Sequence, residues 1–363
     1  MKAGFLTASG YHSGSSLGRI RALRLVAMVP VLIAAVITTG QAYLQAIGAH
    51  GGAPLSAWRD RLAHWLFIDS LPLAAWNVLV AGLVHVLPVF LFALLAAGLC
   101  ERLFAEYRNR PFDTGFIYSA LVFTMLVPPG AGIFHVVFGM FFATLLVQGI
   151  FGGEGRGFLN PALVGVAIVQ ISFPAALADH PLWSGINGYA GSRELALYHQ
   201  QQLDGLLPAA ADWWRAFVGV GQGPMGTTSV LAAGLGAVIL LYTRIVCWRI
   251  LAAQLLGVIL LASLFNISGG GIASLPWYGH WLLGSYAFTA IFVATDPSAS
   301  AQTRPGRWIQ GLLLGALLVL VRNLHDSHPD SVIPVVLLVS MAAPLIDHVV
   351  AWFNIRRRRA RHG

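Results

Sequence analysis

The chain has 363 residues, of which 57% are hydrophobic and only 10% charged, with a mean hydropathy of +0.73. A water-soluble domain carries about 25% charged residues, so the composition excludes an ordinary soluble enzyme and points to an all-α polytopic membrane protein. The formal net charge of +8 does not indicate a nucleic-acid partner, because the basic residues flank apolar runs as topology signals do, and the two cysteines, Cys100 and Cys247, make neither a disulfide framework nor a metal box.

Residues 1–24 form a polar tail that lacks the apolar core of a cleavable signal and ends in Arg19, Arg21 and Arg24. A first span is predicted over residues 25–47, and crossing a bilayer takes about 20 apolar residues. Residues 49–71 carry Trp58, Arg59, Asp60, Arg61 and Trp65 and read as a loop with an interfacial helix. A second span ends in residues 92–99 and runs into Glu101 and Arg102. The third is 116–127, closed by Pro128-Pro129, the fourth is 133–150, and the fifth is 162–177. Residues 179–223 form the longest polar segment, edged by Trp183, Trp213 and Trp214. Spans six to ten are predicted at 228–243, 247–267, 279–295, 308–321 and 332–353.

Ten transmembrane helices put both termini on one side. Of the 22 Lys and Arg residues, only Arg59, Arg61, Arg193, Arg215 and Arg322 fall on the other side, so the positive-inside rule makes the termini cytoplasmic. Five spans per half make two inverted five-helix repeats, 25–178 and 224–353. They are separated by an outward loop, 179–223, and followed by a basic cytoplasmic tail, 354–363. Two breaks interrupt the apolar runs: residues 151–165 (FGGEGRGFLNPALVG) and residues 294–301 (ATDPSASA), at corresponding places in the two halves. Irregular backbone is tolerated at membrane depth only where protein or a cavity satisfies it. At Asn160-Pro161 a helix restarts with free N–H groups. The breaks are therefore expected to hold a ligand between them.

Three acids, Glu101, Asp296 and Asp347, lie at or within spans. A charge at the bilayer centre costs about 2.5–3.5 kcal/mol, so these are candidates for ion movement or cofactor binding. Plainer roles stand beside that one: Glu101 pairing with Arg102, Asp347 lying at the interface, and Asp296-Pro297 starting a turn. The glycines at 152–157 follow no strand and lack GxxxxGK[ST], so they do not make a phosphate loop. His135, His180, His199, His280, His325 and His328 show no clustered ligand spacing. The run at 356–361 (RRRRAR) reads as a topology determinant and a contact to anionic lipid.

Several stretches together resemble the NqrB/RnfD family: 151–165, 224–232 (PMGTTSVLA), 244–250 (RIVCWRI), 292–297 (FVATDP), 344–350 (PLIDHVV) and the basic tail. This family comprises membrane components of the sodium-pumping NADH:quinone oxidoreductase (Nqr) and of the Rnf complex, and the resemblance spans nearly the whole chain. It implies a multi-pass protein of the bacterial inner membrane, working beside other membrane and redox subunits as part of an ion-translocating oxidoreductase. It further implies a non-covalent flavin (riboflavin or FMN) near the cytoplasmic side. Asn160 and Asp296 match family positions for that flavin, Gly157 replaces a second asparagine, and Gly153 and Thr295 flank them. Glu101, Asp296 and Asp347 match positions tied to the passage of Na+ or H+. Ala97 and Gly98 fall where the family has a Gly-Gly pair linked to quinone.

The outward loop departs from the family. Where members carry a threonine esterified to FMN, the aligned stretch is Asn187-Gly188-Tyr189-Ala190-Gly191-Ser192-Arg193, and arginine has no hydroxyl to esterify. Thr228, in residues 222–228 (QGPMGTT), keeps only part of that pattern. A covalent FMN is therefore not expected. The alternative function is a non-redox transporter or scaffold protein of the same fold.

Overall fold

The computed structural model describes residues 14–49, 58–66, 75–109, 111–151, 157–174, 210–219, 223–268, 275–324 and 331–362, and every regular element among them is helical. The first-half helices are α1 (Gly14–Ala49), α2 (Trp58–Trp65), α3 (Ala75–Tyr107), α4 (Phe116–Leu126), α5 (Ile133–Ala143) and α6 (Pro161–Ser172). The rest are α7 (Ala210–Val218), α8 (Val230–Tyr242), α9 (Trp248–Ser268), α10 (Trp277–Leu282), α11 (Tyr286–Phe292), α12 (Arg304–Leu324) and α13 (Val332–His362). Stretches within α1, α3, α9 and α13 are long and apolar enough to cross a membrane. The apolar helices α4, α5, α6 and α8 are shorter.

Most of these helices fall where the apolar runs predict them, and three differences have physical causes. The run at 279–295 is not one helix. It divides into α10 and α11 around Gly284, whose φ of +84° is open to glycine but costly for other residues. Part of the polar stretch 179–223 is α7, whose Trp213 meets Tyr278 of α10 edge to face at 5.1 Å, while Ala216 packs with Leu275 and Leu283. The basic tail continues α13 without interruption. After α5 the chain adds a π-helical turn, Thr144–Gly149, so that Ile150 N–H reaches the Leu145 carbonyl at 3.1 Å.

Small residues set how closely the long helices pack. At the α1–α3 crossing a Cβ on Gly40 would strike the Val78 carbonyl, and one on Gly82 the Val36 carbonyl. Such contacts are the usual means of association between helices in lipid. Gly257, Gly311 and Gly315 serve α9 and α12 in the same way. Helix α3 also packs on α4 and α5, α5 on α6, α12 on α13, and α8 on α1 and α11, while α6 touches α13. One continuous core results, running from Ala27 and Met28 through Phe123, Met140 and Leu163 to Phe288 and Leu318.

The ends of the short helices are satisfied from neighbouring segments, as a membrane interior requires. Buried Arg59 on α2 donates to the Pro129 and Ala131 carbonyls at 2.6 and 2.8 Å, holding the α4–α5 turn. Buried Arg322 on α12 donates to the His280 and Leu283 carbonyls at 2.9 and 3.1 Å, holding the end of α10. Segment 223–229 lies on the end of α4 through Gly226 N–H to the Met125 carbonyl at 2.8 Å. Ser229 then caps α8.

Gly82→Ala is expected to lower the thermal midpoint of the detergent-solubilised protein by several degrees, in line with about 1–3 kcal/mol for overpacking. Gly234→Ala on α8, where an added Cβ meets nothing within 4 Å, is expected to leave it unchanged. Equal midpoints for the two variants would contradict this packing.

Candidate functional site

The two breaks meet. Asn160 caps α6 by accepting from Ala162 N–H at 3.0 Å, with Pro161 pre-set for the first helical turn. Its side-chain amide is thereby turned outward from the helix start, and Nδ2 donates to Asp296 Oδ2 at 3.2 Å. Asp296 follows α11 in the turn that leads to α12, and its Oδ1 accepts from Ser298 N–H at 3.2 Å and Ser298 Oγ at 3.0 Å. The same oxygen takes Arg24 Nη2 at 3.2 Å. Arg24, Asn160 and Asp296 are all buried.

Two carboxylate oxygens offer about four lone-pair sites, and four donors reach Asp296. Arg24 stands 5.4 Å over the Tyr118 ring, and Tyr118 OH donates to the Phe292 carbonyl at 3.0 Å. Helices α1, α4, α6 and α11 are therefore joined around one anion. One turn before Arg24, Arg21 forms an ion pair with Asp113 and donates to Thr114 Oγ1 at 3.2 Å, which fixes the start of α1 to the α3–α4 loop.

Other candidate residues take different positions. Asp347 on α13 accepts from Gln302 N–H at 2.6 Å, from Thr303 N–H at 3.0 Å and from the Thr303 hydroxyl. It thus holds the far end of the same turn whose near end Asp296 holds. Between them Gln310 accepts from Ala301 N–H at 2.7 Å, and Arg307 donates to the Ala301 carbonyl at 3.0 Å. Glu101 is buried in α3. The suggested pairing with Arg102 does not form: Arg102 is exposed and bonds Glu106 at 3.0 Å instead, because one helical turn separates those two while adjacent residues diverge. Thr295 turns its hydroxyl back to the Ile291 carbonyl. Ala97 is fully buried and Gly98 faces Phe116 of α4, so this pair lies in a helix contact. Gly157 is buried, and an added Cβ would lie 3.1 Å from the Val147 carbonyl carried by the π turn. Gly153, Ser192 and Arg193 lie outside the described residues. Among the described residues no group of three or more His, Cys, Asp or Glu gathers to hold a metal ion.

Sequence reasoning treated Arg24 only as a topology signal and did not single out Tyr118 or Ser298. The available signal for Arg24 was its place one turn beyond Arg21, at the edge of an apolar run.

Chemically, the joint pairs one strong acceptor, Asp296, with one amide donor, Asn160, beside a fixed positive charge. An imide edge, with one N–H between two carbonyls, is complementary to that pair. Asp296 would take its N–H and Asn160 one of its carbonyls, in place of their bond to each other. The ring system of a flavin carries such an edge, so these residues fit the group that the sequence suggested.

A model of the NQR2, RnfD, RnfE family matches residues 7–356. The B-type subunit of the Na(+)-translocating NADH-quinone reductase of Azotobacter vinelandii is 34% identical, over 98% of this chain and 89% of the relative. The protein of that name from Pseudomonas aeruginosa strain LESB58 is 38% identical, over 80% of this chain and 73% of the relative. That from Chromohalobacter salexigens is 33% identical, over 98% and 87%.

Asp296→Ala removes the carboxylate of a buried ion pair. It is expected to destabilise the protein by about 3 kcal/mol or more, measured as a shift of the denaturation midpoint in detergent. Ser298→Ala, which removes one of four donors, is expected to cost about 1 kcal/mol. A loss no larger for Asp296→Ala than for Ser298→Ala would contradict a central role for this carboxylate.

Proposed function

The chain belongs to the NQR2, RnfD, RnfE family, and we propose that it is a flavin-binding inner-membrane component of an Nqr/Rnf-type electron-transfer complex. The observation that carries this reading is the buried joint of Arg24, Asn160 and Asp296, where the two backbone breaks meet. Asn160 and Asp296 would hold the polar edge of a non-covalent flavin, with Gly157 and Thr295 in the backbone around it; Gly153, assigned to the same group from the sequence, lies outside the described residues. When bound, the flavin supplies the capacity to take up and release electrons. The chain's own part is to bind and orient it, and to keep a guanidinium beside it. The Arg24 guanidinium stays paired with Asp296, so the joint is formally neutral as it stands. Riboflavin or FMN would satisfy these contacts.

In this reading the partners are further membrane and redox subunits, with quinone meeting the α3–α4 contact at Ala97 and Gly98. Glu101, Asp296 and Asp347 are assigned to the path of Na+ or H+. Asp296 and Asp347 fix opposite ends of one turn, so a cation entering there would have to displace donors that hold that turn. A covalent FMN has no place in the proposal, because Arg193 stands where the family pattern requires a threonine.

We read the architecture as ten spans in two inverted repeats (25–178 and 224–353) around an outward loop, 179–223, with both termini in the cytoplasm. The neighbours of each helix support that arrangement. Helix α3 packs on α4 and α5, α5 on α6 and α4 on α6. Correspondingly, α9 packs on α11 and α12, α12 on α13 and α11 on α13, a matching that sets the 294–301 break against the α4–α5 turn and not, as the sequence suggested, against 151–165.

Acid extraction of the purified full chain is expected to release about one flavin per chain, the stoichiometry of a single cofactor site, and to leave a non-fluorescent denatured band. Asn160→Ala is expected to lower that flavin content several-fold. No flavin in either fraction would overturn the redox reading in favour of a transporter or scaffold protein, and a fluorescent band would contradict the absence of a covalent cofactor.

A further inference from the structure

A second basic cluster lies apart from the Asp296 carboxylate, where α9 and α12 begin. The turn leaving α8 carries Arg244 and Cys247, α9 opens on Trp248 and Arg249, and α12 opens on Arg304 with Arg307 and Trp308 one turn later. Because α9 and α12 pack closely against each other, these openings are neighbours. Arg307 Nη1 lies 3.5 Å from Cys247 Sγ, and Arg249 Nη1 lies 4.0 Å from the same sulfur. Two guanidinium groups therefore converge on one thiol. Among the described residues no carboxylate lies within ion-pair distance of Arg244, Arg249, Arg304 or Arg307.

Like charges this close repel, and an anion between them removes the repulsion. Burial pushes the Cys247 thiol up, but a hydrogen bond from the Arg249 backbone and the two guanidiniums outweigh it and hold the thiol below its ordinary value. The cluster also has an aromatic rim. Trp248 and Trp308 meet edge to face at 5.9 Å, are 55% and 36% exposed, and the Arg249 guanidinium lies 5.4 Å over the Trp248 ring. Exposed tryptophans at the ends of apolar helices mark the headgroup level of a bilayer.

We propose that Arg249 and Arg307, with Arg244 and Arg304 beside them, bind the phosphate of an anionic phospholipid, while Trp248 and Trp308 pack on its glycerol and upper acyl region. Free phosphate shares the charge chemistry but makes no use of the tryptophan pair, whereas a lipid uses both parts of the cluster. Arg307 also donates to the Ala301 carbonyl. A phosphate held there bears on the same turn that Asp296 and Asp347 fix at its two ends.

Cys247 supplies a reporter, because Cys100 is buried within α3 and Cys247 is partly exposed. The full chain would be reconstituted in vesicles of phosphatidylcholine alone or mixed with phosphatidylglycerol. Alkylation of Cys247 by the uncharged reagent N-ethylmaleimide would be followed by peptide mass spectrometry. The anionic lipid is expected to slow the reaction several-fold. Arg249→Gln, which experiences the same bulk surface charge, is expected to lose most of that lipid-dependent ratio, and Arg249→Lys to regain part of it. Equal rates in the two lipid mixtures would overturn the proposal, as would an unchanged ratio in Arg249→Gln. Protection by inorganic phosphate in phosphatidylcholine vesicles would assign the cluster to a soluble anion and overturn the lipid assignment.

Discussion

A carboxylate taken out of water must have its lost hydration replaced, and Asp296 has it replaced by four groups from three places in the chain: Arg24 of α1, the cap of α6, and the backbone N–H and hydroxyl of Ser298 in its own turn. Removing either charge of a buried pair costs about 3–5 kcal/mol, because the other is left behind. That cost ties the packing of helices distant in sequence to one atom group. The approach of α1 to α4, the start of α6 and the exit of α11 are all positioned relative to it. The site and the architecture are therefore the same feature seen at two scales.

The same requirement explains three further arginines. Short and interrupted helices expose carbonyls that lipid cannot satisfy. Arg59 and Arg322 each extend from one helix to the carbonyls at another element's end, and Arg307 reaches back from α12 to the turn that precedes it. A guanidinium suits this task because its rigid fork of donors can serve two carbonyls at once, as Arg59 and Arg322 both do. These contacts allow helices that stop short of a full crossing, and hence a polar site, to exist inside an apolar bundle.

Much of this was legible in the sequence, for identifiable reasons. Apolar runs of span length gave α1, α3, α9 and α13, and Asn160-Pro161 and Asp296-Pro297 announced helix boundaries because both dipeptides oppose helix continuation. The break between α10 and α11 was hidden, since Leu282, Leu283 and Gly284 continue an apolar run while the backbone leaves the helix at Leu283 and Gly284. The π turn at Thr144–Gly149 adds one residue without changing composition, so periodicity does not reveal it. Arg24 was legible as a charge and illegible as a partner. Nothing local in residues 19–24 indicates a carboxylate in the other half of the chain.

That separation has a consequence for biosynthesis. Arg24 and Asp296 are 272 residues apart in the chain. At a synthesis rate of about 5–20 residues per second, the carboxylate follows the guanidinium out of the ribosome after roughly 15–50 s. During that interval α1 is inserted with a charge near its end and without its eventual counter-ion. The guanidinium can stay at the membrane surface by extending its side chain toward water, so α1 need not reach its final depth and tilt until the second half arrives. Assembly of the first half around α1 is thus provisional, and its completion waits on a turn made 272 residues after Arg24.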